Sequence, residues 1–350
     1  LPRGDGRSPL ANLPDFVQTP CPTCGGPAQR ETDTMGGFAC SSWYFLRFAD
    51  PWYEHGPFNP EAVRRWLPVD LYVGGAEHAV MHLLYARFWT KALADAGLID
   101  FREPFPRLRS QGIVHADDGK RMSKSRGNVV TPDEMVARYG ADTLRLHLLF
   151  MAPFDRNVNW SEEGIAGVER FLQRVWRLGE EAARARSTPA ATSSQDDPLL
   201  LRAGHKTIRR VTEDVEAFKF NTAISAMMEM SNTLAGYRER GGDAGPAFAR
   251  AFEVLVRLLA PFAPHLAEEM WTRLGHEFSV HRQAWPADDP ALAAAETMTL
   301  VVQVNGKVRD RIPVPAGLDD GEARQRALAS ERVHQHLAGR VPRQVIVVGG

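Results

Sequence analysis

Residues 68–97 read PVDLYVGGAEHAVMHLLYARFWTKALADAG. The run VDLYV, 69–73, is short, apolar and β-branched, the pattern of a buried parallel strand. Gly74 and Gly75 allow a tight turn behind it. From Ala76 the residues favour helix, with apolar positions at Val80, Leu83, Leu84 and Phe88, and Gly97 supplies a C-terminal stop. The spacing predicts strand, glycine turn and helix, half of a βαβ unit. Such units bind ligands at the carboxyl ends of their strands.

Working outward, SQGIVHA at 110–116 is a second strand candidate, and DDGKRMSKSRGN follows at 117–128. The chain holds 42 Lys and Arg, of which only six are Lys, and two of those, Lys120 and Lys124, fall in this loop. Gly119 and Gly127 flank Lys120, Arg121, Lys124 and Arg126, with Ser123 and Ser125 between. A mobile backbone with several cations and hydroxyls suits polyphosphate, whose developing charge positioned cations stabilise. Taken alone, the same residues also describe a solvated basic surface loop.

Beyond the loop, Thr131, Pro132 and Glu134 form a helix start with a capping box. Residues 162–186 read as a further helix, and 187–198 as a polar connector. From 199 to 285 the apolar residues keep a helical step, as at Ile208, Val211, Val215 and Phe218, and again at Phe252, Leu255, Leu258 and Leu259. That predicts a helix bundle. Then TLVVQVNGKVRDRIPVP, 299–315, alternates about Asn305-Gly306, a strong hairpin signal. A helix over 319–338 and a strand over 344–348 complete a small α+β module.

Totals bound the function. A length of 350 residues implies more than one domain. With 44% hydrophobic residues there is ample core material, and a net charge of −1 gives no support to bulk nucleic-acid binding, so any such surface is local. No apolar run approaches a bilayer span, which excludes a membrane segment. Three Cys fit a reducing cytosol rather than a disulfide scaffold, and the expected location is cytoplasmic. The start, LPRGDGRSPLANLPDF, and the abrupt VIVVGG end read as those of a piece of a longer protein.

RMSKS, Arg121 to Ser125, resembles the KMSKS signature of class I aminoacyl-tRNA synthetases. RETDTM, SSWYFLR, LPVDLYVGGAEHAVMHLLYARF, YGADTLRLHLLF, FNTAISAMMEM, PFAPHLAEEMW and VVQVNGKVR, in that order, resemble the bacterial leucyl-tRNA synthetase family from about residue 12 onward. The resemblance implies a multidomain chain: a linker and half-knuckle (1–40), the second half of a Rossmann-like α/β catalytic domain (41–116), a signature loop and stem-contact region (117–165), an all-α anticodon-binding bundle (166–286) and an α+β tRNA-binding module (297–350). It departs from the family in lacking the HIGH signature and the editing insertion, which belong upstream of residue 1. It also lacks the domain that some relatives insert before the signature loop, and Arg121 stands where Lys is usual.

The same resemblance implies roles. Lys124 contacts ATP phosphates and stabilises the transition state, with Arg121 and Ser123 assisting. Gly74 allows close approach of the nucleotide, and Glu77 accepts from ribose. His78, His82, Ser42 and Tyr44 line the amino-acid pocket. Mg²⁺ accompanies ATP. The partners are leucine, ATP and a leucine-accepting tRNA, with the protein a monomer. A leucine pocket discriminates weakly, since one methylene is worth about 1–3 kcal/mol, so the absent editing region bears on fidelity. Two other readings stay open: a non-catalytic tRNA-binding protein built from synthetase parts, and a sibling ligase for isoleucine, valine or methionine.

Several residues read two ways. His78 and His82, four apart, share a helix face; packing, the pocket and a metal pair are all open, though no third ligand and no HExxH order are evident. Cys21 and Cys24 of CPTCGG have knuckle spacing, but structural zinc takes four ligands and only Cys40 remains. This is half of a Zn²⁺ ribbon or an empty knuckle. Arg174, Arg177, Arg209 and Arg210 could meet tRNA phosphates or line a solvated helix face. The last segment, 297–350, carries eight Lys and Arg against five Asp and Glu. Lys307 and Arg309, just past its turn, are the candidate RNA contacts there, with a solubilised hairpin as the alternative.

Overall fold

The computed structural model describes residues 8–34, 36–186, 197–277, 279–293, 297–315, 318–337, 340 and 342–348. Two compact units result: 1–113 with 155–157, and 114–154 with 158–350.

The first unit opens with α1 (Pro14–Val17) and a hairpin of β1 (Gln18–Pro20) and β2 (Pro27–Gln29), whose turn is CPTCGG. Helices α2 (Tyr44–Phe48) and α3 (Pro60–Trp66) follow, the latter capped by Asn59. Next come β3 (Tyr72–Gly75), a 3₁₀ turn (Ala76–Val80), α4 (His82–Asp95) and β4 (Leu108–Gln111). Strands β3 and β4 pair in parallel, Tyr72 with Leu108 through Gly75 with Gln111, so the expected βαβ crossover is present. Phe45, Leu46, Phe58, Val63 and Ala86 form its core.

Details of this unit correct the sequence reading. The strand runs over YVGG, not VDLYV, because its extent is set by pairing with β4. Gly74 and Gly75 therefore lie in the strand and not in a turn behind it. The helix is interrupted at Met81 (φ −122°, ψ −103°), so His78 and His82 do not share one helix face. Val80, Leu84 and Phe88 are 78%, 57% and 67% exposed, whereas His82, Ala86 and Thr90 make the buried row. SQGIVHA divides into β4 and β5 (Val114–His115). A Cβ on Gly112 between them would lie 1.9 Å from the Arg156 carbonyl oxygen, and that backbone crossing accommodates only glycine.

The second unit begins with β5, which pairs in parallel with β6 (Val158–Asn159). Helices α5 (Pro132–Tyr139) and α6 (Ala141–Phe150) are separated by Gly140 at φ 85°. Pro132 opens α5 as expected, but Thr131 makes no side-chain cap, which corrects the capping box. Helix α7 spans Glu162–Arg186, as predicted. Helices α8 (Pro198–Glu216), α9 (Phe220–Glu239), α10 (Pro246–Leu259) and α11 (Pro264–Arg273) complete the bundle. The expected connector 187–198 lies largely outside the described residues; its end, Asp197, caps α8. Ile208, Val211, Phe252, Leu255, Leu258 and Leu259 are buried in one core. Phe218 leaves the pattern at a left-handed backbone (φ 60°) between α8 and α9.

Two polar contacts of α6 fix the bundle's far end. The Asp142 carboxylate accepts from Leu266 N–H (2.7 Å), His265 Nδ1 (2.8 Å) and His265 N–H (3.4 Å) at the start of α11. Arg145 donates to the Pro261 and Phe262 carbonyls (3.0 and 3.3 Å) past the end of α10. Each charge meets the helix terminus of opposite polarity.

After α12 (Pro290–Ala293), β7 (Thr297–Val304) and β8 (Lys307–Pro315) form the predicted hairpin. Asn305 and Gly306 both take positive φ, 52° and 75°, as a type I′ turn requires. The predicted 319–338 helix is two helices, α13 (Asp320–Ala329) and α14 (Glu331–Leu337). Ser330 breaks it: its backbone is extended, its hydroxyl accepts from Val333 N–H, and it donates to Asp310 on β8. Residues 344–348 form no strand, and Ile346 and Val348 stand exposed, with no β-partner among the described residues. An alternating run becomes a strand only where an edge receives it.

Candidate active site

The signature loop is a built object. Ala116 N–H donates to the Lys120 carbonyl (2.8 Å), and Gly119, at φ 74°, turns the chain between them. Asp118 accepts from Lys120 N–H (2.9 Å), and His115 bridges Arg121. Met122 then packs with Met135, Leu144, Trp160 and Ile165, pinning the loop to α5, α6 and α7. Lys124 to Arg126 make one exposed 3₁₀ turn, ended by left-handed Gly127 (φ 67°). Ser123 and Ser125 share a hydrogen bond of 2.8 Å.

Asn128 closes the base. Its Oδ1 accepts from Ser123 N–H (2.9 Å) and its Nδ2 donates to the Arg121 carbonyl (3.5 Å). The result presents Lys124 on a short turn whose neighbours on both sides are fixed. Beside it, Asp117, Asn128, Trp160, Glu162 and Glu163 help line an open cleft of about 530 Å³.

In the first unit the expected pocket residues come together around an aromatic wall. The Tyr44 hydroxyl meets the Tyr72 hydroxyl (3.0 Å), which meets His82 Nε2 (2.8 Å). Phe38 contacts the rings of His78, His82 and Tyr85, and Tyr72 stacks on Phe105 at 3.8 Å. Burial, with the neighbouring His78, pushes His82 below the usual histidine range. Burial and the Tyr44 hydroxyl push the Tyr72 phenol up. Both shifts favour the neutral forms of His82 and Tyr72. Ser42 is fully buried, and its hydroxyl donates to the Phe38 carbonyl, locking the turn beneath the wall. Gly74 has open space where a side chain would stand, while the Glu77 carboxylate folds over Gly75.

The knuckle has the right local chemistry and too few ligands. N–H groups of Cys24 and Thr23 draw the Cys21 thiol below its usual range, as knuckle geometry does. Cys40 is exposed elsewhere. Among the described residues no three His, Cys, Asp or Glu could hold a metal ion, so these residues do not complete a four-ligand zinc site. The oxygen donors beside the loop fit Mg²⁺ only in its usual manner, through one or two carboxylates plus phosphates.

The basic residues differ in engagement. Arg209 pairs with Asp288 (2.9 Å) and Arg210 with Glu229 (3.0 Å). Arg174 donates to the neutral Asn232, and Arg177 is exposed. On β8, Lys307 is exposed and Arg309 half-buried. Sequence reasoning missed Phe38, Tyr72, Met122 and Asn128; the Asn at the end of the loop motif was the one legible signal among them.

Residues 38–161 match the family model for class I tRNA synthetases (I, L, M and V), and 197–324 match that for the anticodon-binding domain of tRNA ligase. The architecture and these matches define a class I tRNA synthetase sequence. A leucine–tRNA ligase of Dehalococcoides mccartyi is 49% identical over 99% of this chain and 42% of its own length. That of Rubrobacter xylanophilus is 52% identical over 99% and 41%. The solved ternary complex of Agrobacterium radiobacter K84 agnB2 LeuRS-tRNA-LeuAMS is 38% identical, with a TM-score of 0.80, covering 97% of this chain and 45% of that one. Mycobacterium tuberculosis methionyl-tRNA synthetase, 22% identical with a TM-score of 0.52 over 67% of this chain and 48% of that one, shares the fold. Within the class, the chain is similar along nearly its whole length to leucine–tRNA ligases, and it spans less than half the length of those relatives. No helix among the described residues is long and apolar enough to cross a membrane.

Proposed function

We propose that this chain is the C-terminal portion of a leucine–tRNA ligase. That enzyme condenses leucine with ATP to leucyl-adenylate and pyrophosphate, then passes leucine to the terminal ribose of its tRNA. The observation that carries the reading is the signature loop: Met122 anchors it, Asn128 closes it, and Lys124 stands exposed on its turn. Lys124 would hold ATP phosphates and offset the charge that develops on the leaving pyrophosphate, with Arg121 and Ser123 beside it. Mg²⁺, when bound with ATP, would neutralise further phosphate charge.

Gly74 and Glu77 would face the nucleotide. The wall of Tyr44 and His82, with His78 and with Ser42 beneath, would take the leucine side chain. No side chain need act as nucleophile, because the leucine carboxylate attacks the α-phosphate; catalysis is positioning plus electrostatics. Residues 166–286 and 297–350 would meet the tRNA, through Arg174 and Arg177 in the first and Lys307 and Arg309 in the second. A cytoplasmic monomer is the expected state.

The test uses the full-length ligase of which this chain is the proposed part. Lys124→Ala should slow leucine-dependent ATP–pyrophosphate exchange on the order of 10²-fold or more while tRNA affinity holds. An unchanged exchange rate would favour a tRNA-binding protein without catalysis. Exchange supported by isoleucine, valine or methionine in place of leucine would favour a sibling ligase.

A further inference from the structure

Within the second unit, α8, α10 and the segment that follows the bundle enclose a partly open cavity of about 300 Å³. Leu200 and Ile208 of α8 and Ala251 and Val254 of α10 give it two apolar walls, and Trp285 and Pro286 supply a third. Three contacts pin this third wall to α8. Trp285 Nε1 donates to Thr212 Oγ1 (2.8 Å), Arg209 pairs with Asp288 (2.9 Å), and Asp289 N–H donates to His205 Nδ1 (2.9 Å). The wall is thus fixed where it stands, with the space behind it.

Gly204 keeps that space clear of side chain. It is buried in the interior of α8 and lines the cavity, and a Cβ on it would meet nothing within 4 Å. Its φ is not positive and no backbone crosses it, so neither a turn nor a close approach calls for glycine. After Pro, glycine is the least favourable residue in a helix interior, and close-packed cores leave few voids larger than a water molecule. An apolar cavity of about 150 Å³ binds benzene, so this one has room for a single ring with a short substituent.

The polar part of the lining is rich in donors. Arg257 of α10 is half-buried. Its Nη2 donates to the Ala284 carbonyl, its Nε is buried without a partner, and it meets no carboxylate among the described residues. A guanidinium drawn out of water without a counter-charge is costly, and an anion beside it relieves that cost. Because His205 Nδ1 accepts a backbone N–H, its Nε2 carries the ring proton and is a further donor. Exposed Arg250 adds a second guanidinium to the lining. The one lining carboxylate, Asp197, is taken up by the Leu199 and Leu200 N–H groups and the Tyr237 hydroxyl, so no free acid is offered to an ammonium.

We propose that this cavity binds a small organic acid, with an apolar body of up to one ring seated over Gly204 between α8 and α10 and its carboxylate on the Arg257 guanidinium. The site takes no part in the chemistry proposed for the ligase and stands or falls apart from it.

The experiment titrates the 350-residue chain with 4-fluorophenylacetate, followed by fluorine NMR, beside uncharged 4-fluorotoluene. The acid should bind saturably and about tenfold or more tighter than the toluene, the worth of one hydrogen bond to a charged group. Arg257→Gln should erase that difference while 4-fluorotoluene binding holds. Gly204→Leu fills the cavity and should abolish binding of both probes. Gly204→Ala should weaken both and raise Tm, which separates lost space from damaged folding. No saturable binding of the acid, equal affinity for the two probes, binding that survives Gly204→Leu, or a lower Tm for Gly204→Ala would each overturn the proposal. Displacement of the probe by millimolar leucine would overturn the choice of a simple acid over an amino acid.

Discussion

Asp142→Ala tests how the bundle is held together. Helix α11 begins with no side-chain cap of its own at Ala263. Its cap comes instead from Asp142, more than 120 residues earlier in the chain, through bonds of 2.7 Å to Leu266 N–H and 3.4 Å to His265 N–H. Loss of an N-cap costs about 0.5–2 kcal/mol, and a hydrogen bond to a charged group contributes about 1.5–3 kcal/mol. These overlap, and a net loss of ~3 kcal/mol is expected for Asp142→Ala, since the N–H groups it served are left half-buried. For a transition of about 200 residues, each 1 kcal/mol lowers Tm by about 2–4 °C, so the fall should be roughly 6–12 °C. Asp142→Asn keeps an acceptor and should lose less than half as much. His265→Ala should lose still less, because the His265 side chain is 77% exposed and the backbone donors remain. Thermal unfolding followed by near-ultraviolet circular dichroism reads all three. If Asp142→Ala unfolds within 2 °C of the unsubstituted chain, or His265→Ala costs as much as it does, the remote cap is not what seats α11.

Two further outcomes concern the signature loop and the core beneath it. His147 is 2% exposed and lies edge-on to Trp160 at 5.1 Å, and burial, which outweighs its contact with the Ser161 backbone, pushes it below the usual histidine range. The unfolded chain therefore binds the proton more readily than the folded one, so stability should fall as pH drops below about 6.5; in urea unfolding at pH 7.5 and 5.5, His147→Phe should show a smaller loss than the unsubstituted chain, and equal losses would refute the assignment. Asn128→Ala should slow pyrophosphate exchange in the full-length ligase by up to roughly tenfold, the worth of one or two hydrogen bonds, whereas Asn128→Asp, which still accepts from Ser123 N–H, should retain most of the rate; equal rates for the two variants would show that the Ser123 bond does not position Lys124.

The bundle was legible because its helices are long and their apolar period is strong. α7 begins and ends where the pattern does, and Phe252, Leu255, Leu258 and Leu259 are all in the core. The hairpin was legible because Asn305-Gly306 is nearly the whole cause of its own turn. What failed were boundaries decided by distant partners or by single side chains. β3 shifted toward Gly75 because β4, some 35 residues on, sets the register. The last helix broke at Ser330 because its hydroxyl found Asp310 on β8. The exposed row of Val80, in the 3₁₀ turn, with Leu84 and Phe88 on α4 carries the same spacing in sequence as a buried helical row. Period alone states that one face is apolar and says nothing of what covers it.

The candidate site divides along the same line. Lys124 stands out because Lys is scarce in this chain, Arg121 because it opens the same RMSKS stretch, and the loop's glycines advertise its turns. Asn128 and Tyr72 act through contacts; Asn128 had its place at the end of the loop motif to mark it, whereas nothing distinguishes Tyr72 from other Tyr in the sequence. Arginine is the sharpest case. Arg174, Arg177, Arg209 and Arg210 are equivalent as sequence: basic residues on amphipathic helices, two on each. Arg209 is removed from contention by Asp288, 79 residues later, and Arg210 by Glu229. Among the described residues Arg177 meets no acid and Arg174 meets an amide, and Arg170, which composition gave no reason to single out, joins them on the same face. A guanidinium is always charged, so its availability to an anion depends on what the fold has already put beside it. Which arginines stay open to an anion is thus decided by the carboxylates beside them, a property that exists only after folding.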